Sequence, residues 1–554
     1  MNEILSLLLK KCPIIGLRLL HYKVSSKGTE EVPLEIKEKQ FQGSKVVFQL
    51  GLGGAKSYHF LKEWLSKSPR HALYFIEDRL EAFMKFCEQA EAKEVLSHPS
   101  VNFIFIKPSS TFSNFPCFED FTSRTFLTIP SYESERAEFV SKIRERFNNE
   151  IHRFNNFLLE QFNLGKTFYS NFYPNLLHLN KFCNGNGLKS RFKGVPAILC
   201  GAGPSIKKQL PIIKKLSQRA LIIAGGGAMG VLAKAGVIPH LTVGIDPTDA
   251  EWTRFWNNNA FEAPLIFRLR LNRHALNLAH GPKLFFSGAT CYQTSDWLSK
   301  KFSVPYDSVD EGFSCITLAL RYLHLFGCNP VIFCGLDLSC LRDIEYAPGV
   351  GHNESPQVYK KEISWESEEF YSDIYGKPIR SKWKWLAESA MISQIASDQP
   401  TTKHINATEG GIGFKGIPTQ SLKDIHLPIQ KDFFSFLHTE IQSLTSFKED
   451  VHLLKENIKC LRDSFYSCLE YLETLQKWTL EGKKNSAIEA LLYDEEAYIF
   501  FLKQFDWVIK NMQGIRGKRD SEKQDKLENY FRLYLLEDAV FYHLKTIEAI
   551  RSKI

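Results

Sequence analysis

The stretch Pro196-Ala-Ile-Leu-Cys-Gly-Ala-Gly-Pro-Ser205, then the lysine-rich Ile206 to Leu216, then Ala220-Leu-Ile-Ile-Ala-Gly-Gly-Gly227, and finally Val243-Gly-Ile-Asp-Pro247, decides the fold. Apolar runs of four to six residues alternate with helix-length segments. That pattern belongs to βαβ units on a parallel sheet whose strands are covered on both faces. The chain therefore reads as α/β, with a central Rossmann-like domain over residues 191–422. Working outward, an N-terminal nucleotide-fold-like α/β domain is expected over 1–126 and a helical connector over 127–190. A C-terminal helical domain is expected over 423–554.

Both turns that leave a central strand are rich in glycine. Glycine lets the backbone take positive φ and lets a ligand come close to the main chain. Unpaired N–H groups of the first helical turn then face an anion, helped by the helix dipole. Gly201, Ala202, Gly203, Pro204 and Ser205 fit this role: Pro204 suits a first helical position, and Ser205 offers a hydroxyl. Gly225, Gly226 and Gly227 form the second bend. Two such bends after neighbouring strands are expected to form the lip of one crevice that holds a nucleotide. The same glycines also serve for tight turning alone.

Further along, Pro264 to Leu271, Lys283 to Ser287 and Pro330 to Ser339 read as strands, and Asp310 to Phe326 as a capped helix ended by Gly327. Asp246 and Asp337 both follow a strand. Carboxylates there can hold Mg²⁺, orient a sugar hydroxyl, remove a proton, or cap the next element. A long polar loop, Cys340 to Ser364, carries Tyr346-Ala-Pro-Gly349 and His352. Asn406, Thr408, Glu409 and Gly410 make a compact polar turn suited to reading a ligand.

The N-terminal region repeats the pattern in weaker form. Strands are expected at Lys45 to Leu50, Ala72 to Ile76 and Val101 to Ile106, with Gly51-Leu-Gly-Gly54 after the first and Glu77-Asp78 after the second. The third glycine of a dinucleotide fingerprint is absent from its usual place, which favours a scaffold or partner-binding role over a ribose-binding one. Gly165-Lys-Thr167 is no P-loop, because Glu160 stands where that motif has glycine and no strand precedes it. Beyond Leu422, stripes such as Phe433, Phe436, Leu437, Ile441 and Leu444 predict packed helices. The basic run Arg516 to Arg519 reads as solvated.

Composition narrows the function. A net charge of +8 is spread along the chain without a block of five basic residues, so nucleic acid is not an expected partner. The twelve cysteines include no C-x-x-C pair, which argues against zinc and thioredoxin chemistry and for a reducing, cytoplasmic setting. No apolar run reaches 18 residues, so no transmembrane segment is expected, and Met1 to Leu20 reads as an amphipathic helix rather than a signal peptide.

Four segments carry a resemblance: Pro196-Ala-Ile-Leu-Cys-Gly-Ala-Gly-Pro-Ser-Ile, Val243-Gly-Ile-Asp-Pro, Phe333-Cys-Gly-Leu-Asp-Leu-Ser and Asn406-Ala-Thr-Glu-Gly-Gly. In this order they resemble the signatures of the motility-associated factor glycosyltransferase family, whose central domain is related to 6-hydroxymethylpterin diphosphokinases. The resemblance implies a cytoplasmic, bacterial-type transferase with a sialyltransferase-like core. It would pass a nonulosonic acid from a CMP-activated donor to Ser or Thr of a protein acceptor, with no cofactor or metal. Asp337, Asp246, Tyr346 and His352 are then the catalytic candidates. Gly201 to Ser205 and Gly225 to Gly227 would grip the nucleotide, and Asn406, Thr408, Glu409 and Gly410 the substrate. Two positions depart from the family. Tyr346 stands where many members have histidine, leaving Tyr346 or His352 in its role, and Ala202 stands where sialyltransferase-like cores have asparagine. Two alternatives remain open. In an ATP- and Mg²⁺-dependent diphosphokinase, Asp246 and Asp337 hold the metal and Lys207 neutralises phosphate. A non-catalytic scaffold would have its crevice filled by side chains.

Overall fold

In the computed structural model, β1 (Val46–Leu50) is buried at every position, Gln49 included. The Gln49 amide nitrogen donates to the carbonyl of Gly51 at 2.9 Å, while its Oε1 is buried without a hydrogen-bond partner among the described residues. It pairs in parallel with β2 (Ala72–Glu77) and with β4 (Arg124–Thr128), and β2 pairs with β3 (Val101–Phe105), giving the order β3-β2-β1-β4. This sheet belongs to one compact unit, Met1–Asn155 with Lys510–Lys518; the other comprises Asn156–Ile509 and Arg519–Ile554. The structure describes all of the chain except residues 1, 22–40, 42, 69–70, 107–123, 257–261, 290, 308, 341–343, 351–367, 429–432, 448–450, 484, 516–521 and 552–554. His352 and Arg516 to Arg519 lie outside the described residues.

In the first unit, the Gly51 bend is closed from within. The Glu77 carboxylate is fully buried and accepts N–H bonds from Leu52 at 2.9 Å and from Asp78 and Arg79 at 3.0 Å each, besides the Tyr132 hydroxyl. The acid that the sequence offers to a ribose thus holds its own glycine turn. The described N-terminal residues form two helices, Asn2–Lys11 and Pro13–His21, because Pro13 takes the first position of a new helix rather than continuing the old one.

The second unit holds an eight-stranded, all-parallel sheet. Its strands are β5 (Cys183–Asn184), β6 (Ala197–Cys200), β7 (Leu221–Gly225), β8 (Leu241–Gly244), β9 (Leu265–Phe267), β10 (Lys283–Phe285), β11 (Val331–Cys334) and β14 (His404–Asn406). They run in the order β14-β11-β6-β7-β8-β9-β10-β5. The even- and odd-facing side chains feed two cores: Ile198, Cys200, Ile222 and Ala224 on one side, Ala197, Leu199, Leu221 and Ile223 on the other. Burying such side chains on both faces is worth about 1.5–3 kcal/mol for each large one, which is why these runs contain no polar alternation. A short antiparallel hairpin, β12 (Glu368–Ser372) with β13 (Pro378–Lys382), stands apart from the sheet.

The first of the two cores extends into the C-terminal helices. Leu461, Phe465, Cys468 and Leu472 of the helix Val451–Leu480, and Leu533, Leu536, Val540 and Leu544 of Glu522–Arg551, join Phe168, Tyr169 and Tyr173 of Gly165–Leu176 in one apolar cluster with Ile222 and Phe267. His543 is buried there, stacked on Phe465 and bonded to the Tyr173 hydroxyl at 2.8 Å, and burial lowers its basicity to about 3, so it is a neutral ring. Among the described residues no helix is long and apolar enough to cross a membrane.

Candidate functional site

The chain proceeds from β6 outward through β7, β8, β9 and β10, then returns to the other side of β6 with β11 and β14. The strand order therefore reverses between β6 and β11. In open parallel sheets, ligands bind beyond the carboxyl ends of the strands at such a reversal. Beyond these strand ends the Gly201–Ser205 bend is bonded directly to the segment Gly335-Leu336-Asp337-Leu338.

At this point Asp337 meets Ser205. The Asp337 carboxylate, 3% exposed, accepts the Ser205 hydroxyl at 2.8 Å and the Ser205 N–H at 3.3 and 3.4 Å. It lies at the start of the helix Ile206–Leu216, so an acid from a strand 132 positions away in sequence occupies the anion position of this helix. Only glycine fits at 203, since a Cβ there would fall 2.0 Å from Asp337 Oδ2. Burial pushes the Asp337 carboxyl up to about 6, against the bonds from Ser205 and the field of Lys208.

The other amides of the bend are also engaged. Gly201 N–H donates to the Cys334 carbonyl at 2.8 Å and Gly203 N–H to the Gly335 carbonyl at 2.7 Å. These bonds continue the β6–β11 ladder past the strand ends and fix the bend against Gly335, whose φ of +62° sets the turn. Asp337 is braced from behind. Its carbonyl accepts Ile412 N–H at 3.1 Å, Leu336 N–H donates to Thr408 Oγ1 at 3.2 Å, and the Ser381 hydroxyl donates to the Leu338 carbonyl at 2.7 Å.

The two glycine bends adjoin: a Cβ on Gly227 would lie 3.4 Å from Ala202 Cβ. A strap, residues 345–350, crosses them. Ala347 N–H donates to the Ala202 carbonyl at 2.8 Å, and Ala347 and Val350 are buried against the bends. The strap is fastened to the hairpin by the Glu345–Lys382 ion pair, and Tyr346 sets its ring edge-on to Trp385. Here the expectation of ligand-facing amides between the bends meets apolar side chains instead, because the strap needs that surface to bury Ala347 and Val350.

Asp246 stands apart from Asp337. β6 and β7 separate their strands, about 14 Å at the usual strand spacing, so the two carboxylates do not share one ion. Asp246 Oδ1 accepts Thr248 N–H at 2.9 Å and its hydroxyl at 2.7 Å, capping the approach to the helix Asp249–Trp256, while Oδ2 pairs with Arg254 at 3.0 Å. Burial alone would raise this carboxyl, but Arg254 and Thr248 outweigh it and hold it below the usual range. Arg254 also grips Glu251 at 2.5 Å; Glu251 is buried, which pushes its carboxyl up to about 7 despite the arginine. Glu251 and Arg254 were not singled out in the sequence. The Asp-Pro-Thr turn before a helix was the available signal for the cap.

The Asn406 turn is structural in its contacts. Asn406 is fully buried and accepts Thr408 N–H at 3.0 Å; Thr408 in turn supports Leu336. Glu409 accepts the Ser421 hydroxyl at 3.4 Å, and Gly410 and Gly411 pass against Asp337. These residues reach the crevice by bracing Asp337. Among the described residues no cluster of three or more His, Cys, Asp or Glu side chains is arranged to hold a metal ion.

Comparison with known proteins finds a family model and a solved structure. Residues 170–343 match the family model described as 6-hydroxymethylpterin diphosphokinase MptE-like. A solved structure of a Maf glycosyltransferase from Magnetospirillum magneticum AMB-1 is similar over 100% of this chain and 96% of that one, with a TM-score of 0.59 and 13% identity. No curated protein matches the sequence. The glycosyltransferase-like fold and the MptE-like domain both accord with the resemblance to the motility-associated factor family.

Proposed function

We propose that this chain, which shares its fold with a Maf glycosyltransferase and carries an MptE-like domain, transfers a nonulosonic sugar from a CMP-activated donor to Ser or Thr of a protein in the cytoplasm. The observation that carries the reading is the anion position at Ser205, set at the reversal of the strand order with an acid beside it. In the reaction, the acceptor oxygen forms a bond to the anomeric carbon as the bond from that carbon to the phosphate oxygen breaks. CMP departs with the electron pair, and Asp337 takes the hydroxyl proton. The cradle around Ser205 stabilises the charge that grows on the departing phosphate. Tyr346, on the strap, is the candidate for the position held by histidine in the family. Asp246 and Arg254 form a partly exposed polar edge for the sugar. The transfer needs no metal.

The match to the MptE-like family favours a second reading, a pterin diphosphokinase. The separation of Asp246 from Asp337 weighs against it, because those two acids would have to share the Mg²⁺ between them. The burial of Ala347 and Val350 against the bends is what a scaffold reading would cite. A thermal-shift screen of CMP, CDP, UDP, ATP and pterins, with and without Mg²⁺, separates the three. Stabilisation by CMP without metal is expected. Preference for ATP with Mg²⁺ installs the kinase reading, and silence from every nucleotide installs the scaffold.

A further inference from the structure

Every fully exposed side chain of the helix Ile206–Leu216, Pro211 apart, is a lysine: Lys207, Lys208, Lys214 and Lys215. At the pitch of an α-helix the four fall within an arc of about 120°, opposite the buried Ile206, Gln209, Ile213 and Leu216. Two turns, about 10 Å of helix, separate Lys207 from Lys214 and Lys208 from Lys215.

Elsewhere at helix surfaces a lysine faces a glutamate one turn back, as Lys67 faces Glu63 and Lys142 faces Glu138. Among the described residues, none of the four lysines makes an ion pair. Lys207 and Lys208 also occupy the first turn, where the helix dipole disfavours cations. A row of uncompensated cations gives the folded chain nothing and repels itself; it is satisfied by acid brought from outside.

The composition of the row selects the kind of acid. Phosphate-rich partners are read by arginine forks and by aromatic rings that stack on bases, and a membrane surface by apolar side chains that enter the lipid. This face offers no arginine, no aromatic ring and, beyond Pro211, no fully exposed apolar side chain. Lysine, a mobile point charge, suits carboxylates whose positions vary. The placement of the row agrees: it starts beside Asp337, whose carboxyl feels the field of Lys208, and leads away from it. An extended peptide with its hydroxyl at Asp337 reaches Lys214 and Lys215 in about three to six residues.

We propose that this lysine face is a docking surface for the protein acceptor, and that it takes an acidic segment about three to six residues from the Ser or Thr to be modified. The inference rests on the acceptor reading above and names the chemistry of that acceptor.

The test uses the full chain and two fluorescent serine peptides, one with a run of glutamates beginning about four residues from the serine and the other with glutamines in their place. Fluorescence anisotropy is read in low and in high salt. Wild type is expected to bind the glutamate peptide about tenfold more tightly than the glutamine peptide, and salt to erase the preference. Lys214→Glu combined with Lys215→Glu should abolish the preference, and Lys214→Arg combined with Lys215→Arg should keep it, each variant being checked for an unchanged melting temperature. The wild-type comparison of the two peptides stands whether or not the variants fold. Equal binding of both peptides by wild type, or a preference that survives the glutamate variant, overturns the docking surface. Tighter binding of phosphatidylserine vesicles or of oligodeoxythymidine through the same lysines also overturns it, because the face then belongs to a lipid or a nucleic acid. The two readings fail separately. A chain that CMP stabilises but that does not distinguish the peptides loses this inference alone. A chain that distinguishes them but gains no stability from any nucleotide loses the donor reading, while the acidic partner stands.

Discussion

The backbone N–H of Ala347 meets the carbonyl of Ala202 at 2.8 Å, so the strap is tied to the first glycine bend by a main-chain bond. Next to it, Gly230 faces the Gly349 carbonyl so closely that a Cβ would fall 2.3 Å from that oxygen. Gly230→Ala should therefore lift the strap, although alanine is the better helix former. Protection of the Ala347 amide against hydrogen exchange is expected to drop at least tenfold, with the sheet amides of β6 and β7 unchanged. An unaltered Ala347 amide would show that the strap is held by other contacts.

Gly203→Ala brings a methyl onto the Asp337 carboxylate and also within 2.7 Å of the Gly335 carbonyl. Overpacking of this kind costs about 1–3 kcal/mol. Part of that cost vanishes when the carboxylate is gone, so Gly203→Ala and Asp337→Ala should be non-additive in urea unfolding, the double variant being more stable than the sum predicts. Strict additivity would contradict the contact.

Glu251 gives a pH signature. Its carboxyl lies near 7 in the folded chain and near the ordinary 4.5 when unfolded. The native state thus holds the proton more firmly, and its contribution to stability is present below about pH 4.5 and is lost as pH rises through about 7. Glu251→Gln cannot titrate. Compared with wild type it should flatten the fall in stability between pH 4.5 and 7.5 by roughly 1–3 kcal/mol, read from urea midpoints at several pH values. A parallel pair of curves would place the Glu251 carboxyl outside the buried pair.

Arg532 and Asp506 form a buried bidentate pair among the C-terminal helices, with the Tyr498 hydroxyl donating to the same carboxylate at 2.6 Å. Removing one partner strands a buried charge at a cost of about 3–5 kcal/mol. Asp506→Ala is expected to lower the melting temperature strongly, and the double change Asp506→Leu with Arg532→Met to cost less than Asp506→Ala alone. A double variant worse than Asp506→Ala would mean that the pair contributes net stability.

The strands that lead to glycine were legible from sequence because burial on both faces leaves an unbroken apolar run, as at Ala197–Cys200 and Leu221–Gly225. β14, with three residues, and the hairpin strand Glu368–Ser372, with its acidic start, carry no such run and were not read as strands. Ser205 and Asp337 each stand out in the sequence. Their bond does not, because nothing local reports a contact between residues 132 positions apart. Likewise the polarity of Asn406 and Thr408 suggested ligand reading, whereas polar side chains beside a bent main chain more often satisfy that main chain.

The core shared by β7, β9 and the helix Glu522–Arg551 has a consequence for synthesis. That helix is 30 residues long and is synthesised after every strand of the sheet that it covers. Until it emerges, one side of the sheet lacks Leu533, Leu536 and Val540, and nascent protein must be kept from aggregating through that bare surface. The second face of the sheet is therefore covered only once this helix has been made.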